Sequence, residues 1–224
     1  MKLLAKGKTK NVYALPDGNI LLEFKDDATG TDGVFDPGAN TVGLTVPGMG
    51  QCGLRLSQYF FGKISEAGFP THFVGADIDA ATMTVRPAKV FGHGLEVVCR
   101  LRATGSFMRR YGAYAEEGQP LPALIEFTLK DNDREDPPIT PDALDALGIL
   151  RDPEYTQIRT LTREITALIE KTLAQRGMEL YDIKLEFGLV DGRVALIDEI
   201  SGGNMRVYKD GAIVSPMALA DLVL

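Results

Sequence analysis

The chain has 224 residues, 45% of them hydrophobic, and its formal net charge is -7. So much apolar material can form a buried core, which excludes a largely disordered chain. The acidic balance argues against broad binding to nucleic acid or to anionic membranes, whereas a small phosphorylated ligand needs only a local cationic pocket.

The N-terminal part of the chain is predicted to start with strands. "MKLLAKGKTKNVY" lacks the apolar run of a signal peptide, and together with only two cysteines it predicts a cytoplasmic protein. A strand, a turn at residues 16–19 and a returning strand follow in "GKTKNVYALPDGNILLEFKDD". Residues 28–53 are rich in Gly, Thr and Pro; so long a loop is typical of functional segments, and it is the candidate lid.

A helix and further strands are predicted next. In "LRLSQYFFGKISEAG", Leu56, Phe60 and Ile64 share one helical face, and Gly68 ends the helix. Strand character resumes in "THFVGADIDAATMTVRPAKVF", with a turn near residues 77–79. "LEVVCRLRATGS" and "ALIEFTLKD" are predicted to be further strands.

The last third of the chain predicts a long helix followed by a hairpin. Asp152 is expected to be the N-cap of the helix, with Pro153 at its first position and Gly177 after its end. Helices do not alternate regularly with strands, so the order favours an α+β fold over a doubly wound sheet. A break near residue 90, in "RPAKVFGHG", predicts a β-rich lobe at residues 1–90 and a larger α+β lobe at residues 91–224.

Arginines cluster around a glycine turn in "CRLRATGSFMRRYG". Guanidinium groups, a serine hydroxyl and exposed amides together suit a phosphate monoester, so this stretch is predicted to bind one. The alternative is a basic strand edge paired with surface carboxylates. The residues concerned are Arg100, Arg102, Arg109 and Arg110, on either side of Gly105 and Ser106.

Three other features carry weaker signals. "GKTK" offers Lys8 and Lys10 at a strand start without the Walker A pattern, so solvated lysines are an equal alternative. "LKDNDREDPPI" reads as an exposed loop on its own. His72 and His93 show no metal-ligand spacing and are expected in the core or on the surface.

Residues 184–208, "KLEFGLVDGRVALIDEISGGNMRVY", form a predicted hairpin with unusual charges on it. With a two-residue turn at Asp191 and Gly192, Glu186 faces Ile197 and Asp198 points to the other side. With a bulged three-residue loop, Glu186 faces Asp198 instead. Two facing carboxylates would repel unless a cation lay between them, and Mg²⁺ with substrate phosphates suits such a pair. A solvated sheet edge is the alternative.

Six stretches occur in the order seen in one family, so the chain resembles the SAICAR synthetases (phosphoribosylaminoimidazole-succinocarboxamide synthases) of purine biosynthesis. The stretches are "GKTKNVY", "EFKDDATGTDG", "THF", "EVVCRLRATGSFMRR", "EFTLKDNDREDPPI" and "DIKLEFGLVDGRVALIDEIS". The resemblance implies a ligase that uses ATP and Mg²⁺ to join the carboxylate of carboxyaminoimidazole ribotide (CAIR) to the amine of L-aspartate. It also implies a two-lobed fold with antiparallel sheets, similar to ATP-grasp and kinase-like architectures, and ATP in the cleft between the lobes.

The resemblance assigns roles by position, and it commits the hairpin to the bulged register. Glu186 and Asp198 would bind both ATP and Mg²⁺, and Lys184 and Asp32 would act at the reacting end. The resemblance does not assign the base for the amine; the candidates are Asp32 and a carboxylate of residues 131–136. The remaining ATP-binding residues would be Lys8, Lys10, Val12 and Lys89. The CAIR-binding residues would be Arg100, Ser106, Arg110 and Arg206.

The chain departs from the family pattern at a few positions. Gly202 and Gly203 stand where Pro and Asp are usual, and Met49 replaces a lysine. The chain also stops at Leu224, without the charged helical tail usual in the family. A ligase for another amine or azole, a small-molecule kinase and a non-catalytic nucleotide sensor therefore stay open as alternatives. Small-molecule substrates are the expected partners, with room for a homodimer.

Overall fold

The structure is a computed structural model that describes residues 1–31, 34–35 and 41–224. Within these residues it has the predicted α+β character, with two larger antiparallel sheets and a small one. The five-stranded sheet has the order β1-β2-β3-β8-β7. Its strands are β1 (Lys2–Lys6), β2 (Lys10–Ala14), β3 (Ile20–Phe24), β7 (Phe73–Asp77) and β8 (Thr82–Val85).

The small sheet lies within the segment predicted to be a lid. It consists of β4 (Asp27–Thr31), β5 (Val34–Phe35) and β6 (Val42–Thr45), with β4 between the other two. The predicted loop therefore carries strands of its own, and the next helix takes its last five residues. Residues 32–33 and 36–40 of the predicted lid lie outside the described residues.

The seven-stranded sheet is organised around one long strand. That strand, β12 (Glu179–Val190), pairs antiparallel with four others and so is the centre of the sheet. The others are β9 (Lys89–Val90), β10 (Leu95–Arg102), β11 (Pro120–Leu129), β13 (Arg193–Ile197), β14 (Met205–Lys209) and β15 (Ala212–Ile213). The first strand of this sheet begins just before residue 90; the division into lobes at that residue stays a prediction.

Two amphipathic helices pack against these sheets, as predicted. The first, α1 (Met49–Glu66), begins five residues before the predicted stretch and buries Leu56, Phe60 and Ile64 completely. The long helix α4 (Asp152–Ala174) has a proline in its first turn, but its N-cap is Arg151 rather than Asp152. The shorter helices α2 (Ser106–Tyr111), α3 (Pro141–Ala146) and α5 (Pro216–Val223), and a 3-10 turn at Asn132–Arg134, complete the described elements.

The hairpin of β12 and β13 has the plain register, so the predicted bulged register is wrong. Val190 pairs with Arg193, and Glu186 pairs with Ile197. Asp191 and Gly192 between them both have positive φ, at 50° and 76°, as a two-residue type I′ turn requires. The Asp-Gly pair adopts this turn without strain, so nothing forces an extra residue into the loop.

Candidate active site

A cleft of about 1160 Å³ is lined by residues of both larger sheets. The five-stranded sheet contributes Lys8, in the β1–β2 turn, and Lys10, the first residue of β2. The seven-stranded sheet contributes the floor, which comprises parts of β10, β11 and β12 and the loop after β13.

The floor carries its charges because strand side chains alternate between faces. Asp182, Lys184 and Glu186 are two residues apart on β12, so they share the face that lines the cleft. On the neighbouring strand β10, Glu96 lies opposite Glu186 and Arg100 lies opposite Asp182. The central strand β12 therefore presents an aspartate, a lysine and a glutamate in a row on one face. The carboxylates of Glu186 and Glu96 lie opposite each other on neighbouring strands.

Lysines from three elements neutralise these carboxylates. Lys184 Nζ lies 2.5 Å from a Glu96 oxygen, and Lys130 Nζ lies 2.8 Å from Glu186 Oε1. Lys10 Nζ lies 2.8 Å from Asp198 Oδ1. Every carboxylate thus has a cation as a partner, which is the condition for keeping it charged in a poorly hydrated place.

The pairing shifts the ionisation of the two groups at one end of the floor. Burial would raise the pKa of Asp198, but the charges of Lys10 and Lys130 outweigh it and hold that pKa well below its usual range. Burial would likewise lower the pKa of Lys10, but Asp198 and Glu199 raise it above its ordinary value. Both groups are therefore charged at neutral pH.

Glu186, on the same floor, behaves in the opposite way. Burial and the nearby charge of Asp198 raise the pKa of Glu186, although Lys130 and Lys184 favour its ionised form. Burial acts to lower the pKa of Lys130, but Glu186 and Asp198 outweigh it and raise that pKa to about 12. An additional cation near Glu186 would therefore favour its ionised form.

Asp198 reaches the cleft through its backbone conformation. In the plain hairpin register, regular pleating would point its side chain away from the face of Glu186. However, β13 ends at Ile197, and Asp198 has a φ of 66°, in the left-handed region. This conformation interrupts the alternation, so the carboxylate meets Lys10 in the cleft without a bulge.

Arginines form a second, buried cluster at the other end of the floor. Arg100, which is 2% exposed, pairs with Glu126 and with Asp182, and one of its nitrogens donates to Ser106 Oγ at 2.8 Å. Arg206 Nη1 lies 2.8 Å from the same Asp182 oxygen. The predicted phosphate site is thus a network whose innermost guanidinium already has carboxylate partners.

Gly105 leaves space for this arginine cluster. It has a φ of 57° and a ψ of −129°, a conformation that is essentially restricted to glycine. A Cβ at this position would lie 2.7 Å from the Arg206 guanidinium carbon. The glycine of "ATGS" therefore lets the backbone before α2 approach Arg206 closely.

The structure brings most of the other predicted residues to the cleft. Lys8 and Val12 line it, and Lys8 Nζ donates to Asn132 Oδ1 at 2.8 Å. Arg110 lines it as well and pairs with Glu126 at 2.5 Å. Lys89 is not among the lining residues; it is exposed on β9, beside Leu189. Asp32 lies outside the described residues.

Sequence reasoning missed several partners of the predicted residues. Glu199 was visible beside Asp198, but nothing in the sequence indicated that it lies 2.5 Å from Lys10 Nζ. Glu96 and Glu126 alternate with apolar residues in predicted strands, which is a signal for one polar face. Lys130 was assigned to an exposed loop, although it reaches Glu186.

The donor set at Glu186 and Asp198 fits a magnesium ion bound together with a substrate. Both side chains offer carboxylate oxygens, the ligands that Mg²⁺ prefers, and each now has a lysine for its counter-ion. Among the described residues, no group of three or more His, Cys, Asp or Glu could hold a metal. Further ligands would come from water or phosphate oxygens, as is usual for Mg²⁺ with nucleotides.

Comparison of the sequence identifies close relatives. A model of the SAICAR synthetase family matches residues 3–215. The phosphoribosylaminoimidazole-succinocarboxamide synthase of Clostridium tetani is 57% identical over 226 residues, covering 100% of both chains. The enzyme of the same name from Thermotoga maritima is 39% identical, over 93% of this chain and 86% of the relative.

Solved structures with this fold carry the same description. A structure described as SAICAR synthetase (type-2) in complex with ADP has a TM-score of 0.82 and 30% identity, over 93% of this chain and 86% of its own. SAICAR synthetase from Pyrococcus horikoshii has a TM-score of 0.80 and 29% identity, over 91% and 86% of the two chains.

Proposed function

The chain belongs to the SAICAR synthetase family, and we propose that it joins the carboxylate of CAIR to the amine of L-aspartate, consuming ATP and releasing ADP and phosphate. The observation that carries this function is the row of paired charges on β12, in a cleft large enough for a nucleotide. The chain that carries these charges is 57% identical, over its full length, to the phosphoribosylaminoimidazole-succinocarboxamide synthase of Clostridium tetani.

The charges of the cleft suit activation of a carboxylate by phosphoryl transfer. A carboxylate is a poor acyl donor, and its phosphorylation by ATP gives an acyl phosphate and ADP. Lys8, Lys10 and Lys130 supply positive charge at the end of the cleft where the phosphates would lie. The amine of aspartate, in its neutral form, then attacks the acyl carbon and expels phosphate.

Mg²⁺ would be held by Glu186 and Asp198. When bound, it would neutralise phosphate charge during the transfer. The lysine partners of the two carboxylates would then be free to bind phosphate oxygens, because the metal takes over the carboxylate charges. The raised pKa of Glu186 supports this exchange of partners, since burial and the charge of Asp198 together outweigh Lys130 and Lys184, and a metal ion would add positive charge.

The arginine cluster is proposed to bind the phosphate and ribose of CAIR. Arg206, Arg110 and Ser106 line the cleft and would touch the ribotide. Arg100 lies deeper. Its ion pairs with Glu126 and Asp182 and its hydrogen bond to Ser106 Oγ indicate that it fixes the positions of these three side chains. Its contribution to binding is therefore mainly through the hydroxyl to which it donates.

Lys184 would act at the reacting end of the cleft. The pKa of Lys184 is raised, because Glu96 and Glu186 outweigh its burial, so it stays cationic near a developing acyl phosphate. Asp32 is proposed as the base that frees the amine. Closure of the segment at residues 28–53 would exclude water, which would otherwise hydrolyse the acyl phosphate.

Gly202 fits the packing of the last helix. A Cβ on Gly202 would lie 2.6 Å from Pro216 Cα at the start of α5. The side chain usual in the family at this position is thus incompatible with where α5 lies. The Clostridium tetani relative, which matches this chain over the full length of both, supports the standard reaction over one with another amine or azole.

Two further properties belong to the proposal. No helix among the described residues is long and apolar enough to cross a membrane. A cytoplasmic location is proposed from the role of the family in purine biosynthesis, and a homodimer stays a prediction.

The product of the reaction tests the function. Purified protein with Mg-ATP and CAIR is expected to release ADP only when L-aspartate is added, and mass spectrometry should then find the succinocarboxamide. A stable phosphorylated product without aspartate would indicate a kinase. No ADP release with aspartate or any other amine would contradict a ligase and favour a nucleotide sensor.

A further inference from the structure

His72 lies directly behind the residue that completes the carboxylate pair. Its ring nitrogen Nε2 is 3.1 Å from the backbone carbonyl oxygen of Asp198. The residue is only 4% exposed, and it does not line the cleft. It can therefore influence a substrate only through what it holds.

The carbonyl that His72 touches belongs to a residue in a costly conformation. A non-glycine residue with positive φ is uncommon, and surrounding contacts must hold it there. At Asp198 this conformation is what turns the carboxylate toward Lys10. Lys10 contacts the side chain of Asp198 in the cleft, and His72 contacts its backbone carbonyl from outside the cleft.

The backbone fixes His72 itself on both sides. Its N–H donates to the carbonyl of Leu196 at 3.0 Å, and the N–H of Leu196 donates to the carbonyl of Pro70 at 2.9 Å. The N–H of Arg86 donates to the His72 carbonyl at 2.8 Å. These bonds join the segment before β7 to β13, so the histidine is anchored to the strand that ends one residue before Asp198.

The ring has a fixed orientation as well. It packs against the ring of Phe61 in α1, with 5.5 Å between the ring centroids. A carbonyl oxygen only accepts hydrogen bonds, so the contact requires a proton on Nε2. A merely space-filling histidine has no such requirement and could carry its proton on either nitrogen.

We propose that His72 is a positioning residue for Mg-ATP. It holds Asp198 in its left-handed conformation through a hydrogen bond that Nε2 donates to the Asp198 carbonyl. The inference rests on the proposed function, in which Asp198 is a ligand of that site. It adds a residue outside the cleft to the machinery. Partners that orient ligand residues in this way commonly change metal affinity or activity by about 10- to 100-fold when they are removed.

The first test needs no turnover. The chain contains two histidines, so nitrogen-15 labelling of histidine gives two ring systems, and a His93→Met variant assigns them. The proposal predicts that His72 carries its proton on Nε2. A proton on Nδ1 would overturn it, whether or not the protein is a ligase.

The second test compares two substitutions of nearly the same shape. His72→Gln keeps an N–H donor at similar reach, whereas His72→Met has none. We expect the Mg²⁺ concentration for half-maximal ADP binding, measured by calorimetry, to rise about tenfold or more in His72→Met and to stay within about threefold in His72→Gln. The KM for CAIR should not separate the two variants.

The control and the contrary outcome are both defined. His93 is exposed and does not line the cleft, so His93→Met should leave Mg²⁺ dependence unchanged. Equal Mg²⁺ dependence in His72→Gln and His72→Met would show that only the volume of the ring matters, and would overturn the proposal. If His72→Met does not fold, the tautomer in the unmodified chain still decides the question.

Discussion

Single residues in the cleft floor carry like charges that the fold has to compensate. Glu186 lies opposite Glu96 on the neighbouring strand and close enough to Asp198 for its pKa to rise. Like charges at such positions destabilise a sheet unless cations compensate them. Lys130 and Lys184 provide that compensation. A substitution that removes only the charge of Glu186 therefore tests its role.

Glu186→Gln should abolish activity without weakening the fold. We expect kcat/KM to fall by at least about 100-fold, because the proposed metal site loses one of its two carboxylates. The free energy of unfolding should stay within about 1 kcal/mol of the parent value, since the substitution also removes a buried charge that Asp198 repels. Steady-state kinetics and urea unfolding measure the two effects.

Glu179→Gln is the matched control for this substitution. Glu179 is on the same strand, but it is exposed and pairs with Arg102 outside the cleft. Its loss should change neither activity nor stability by a measurable amount. Comparable kinetics for the two variants would contradict the role given to Glu186.

Arg100 should be needed for stability more than for substrate contact. Arg100→Met leaves the buried carboxylates of Asp182 and Glu126 with less compensation, so we expect a loss of about 3 kcal/mol or more. Arg102→Met, two residues along the same strand at a half-exposed pair, should cost less than about 1 kcal/mol. Urea unfolding measures the loss of stability in each variant. Equal losses in Arg100→Met and Arg102→Met would contradict the structural role of Arg100.

At the scale of elements, close approach between backbones determines where a glycine is required. Gly202 and Gly203 are neighbours, and neither has a positive φ. Only Gly202 faces Pro216 at the start of α5, because the nearest atom to a Cβ on Gly203 would be Ser201 Oγ at 3.1 Å. Substitutions at the two positions can therefore distinguish the effect of packing against α5 from the other effects of replacing a glycine.

Gly202→Ala should weaken the packing of α5, whereas Gly203→Ala should not. We expect the first substitution to cost about 1–3 kcal/mol, as overpacking of a buried contact usually does. The second should stay within about 0.5 kcal/mol. Thermal unfolding and protease cleavage at α5 measure the difference, and equal midpoints would rule out the contact with Pro216 as the cause.

The elements that could be predicted from the sequence are those with a long, regular pattern. The helical stripes of α1 and α4 and the turns of the hairpins were enough to predict them. The helices α2 and α3 have six residues each, too few for a period to be distinguished, and β1 is exposed at every residue.

The site was predictable as far as the local pattern reached. The charged positions of the last hairpin indicated a cation or nucleotide site, and Glu186 and Asp198 do lie together. Lys130, the partner of Glu186, follows β11, and Glu96, the partner of Lys184, lies on β10. Both are distant in sequence from the hairpin, so these pairs depended on the order of strands in the sheet. The bulged register was predicted because regular pleating was assumed through Asp198, whose left-handed backbone breaks it.

At the scale of the whole molecule, His72 couples the fold to pH. Burial lowers the pKa of His72 from 6.5 to about 4, with Asp198 opposing and Lys10 and Arg86 reinforcing the shift. The unfolded chain therefore binds a proton at a higher pH than the folded chain. Stability is lost as pH falls from about 6.5 toward about 4, and is unaffected by this group above that range.

Comparison with His72→Gln isolates this contribution. The variant has no imidazole to protonate at this position, whereas other acid-sensitive groups act equally in both proteins. The stability deficit of the variant should therefore shrink by about 2–3 kcal/mol between neutral pH and about pH 4.5. A deficit that is the same at both pH values in urea unfolding would contradict the lowered pKa.

In the proposed reaction, this cleft activates a carboxylate by transferring a phosphoryl group to it. This transfer can be followed with CAIR labelled with oxygen-18 in its carboxylate, in the complete reaction with Mg-ATP and L-aspartate. An acyl phosphate intermediate requires one labelled oxygen to leave with the released phosphate and one to stay in the amide. Unlabelled phosphate, with amide formation intact, would rule out an acyl phosphate intermediate.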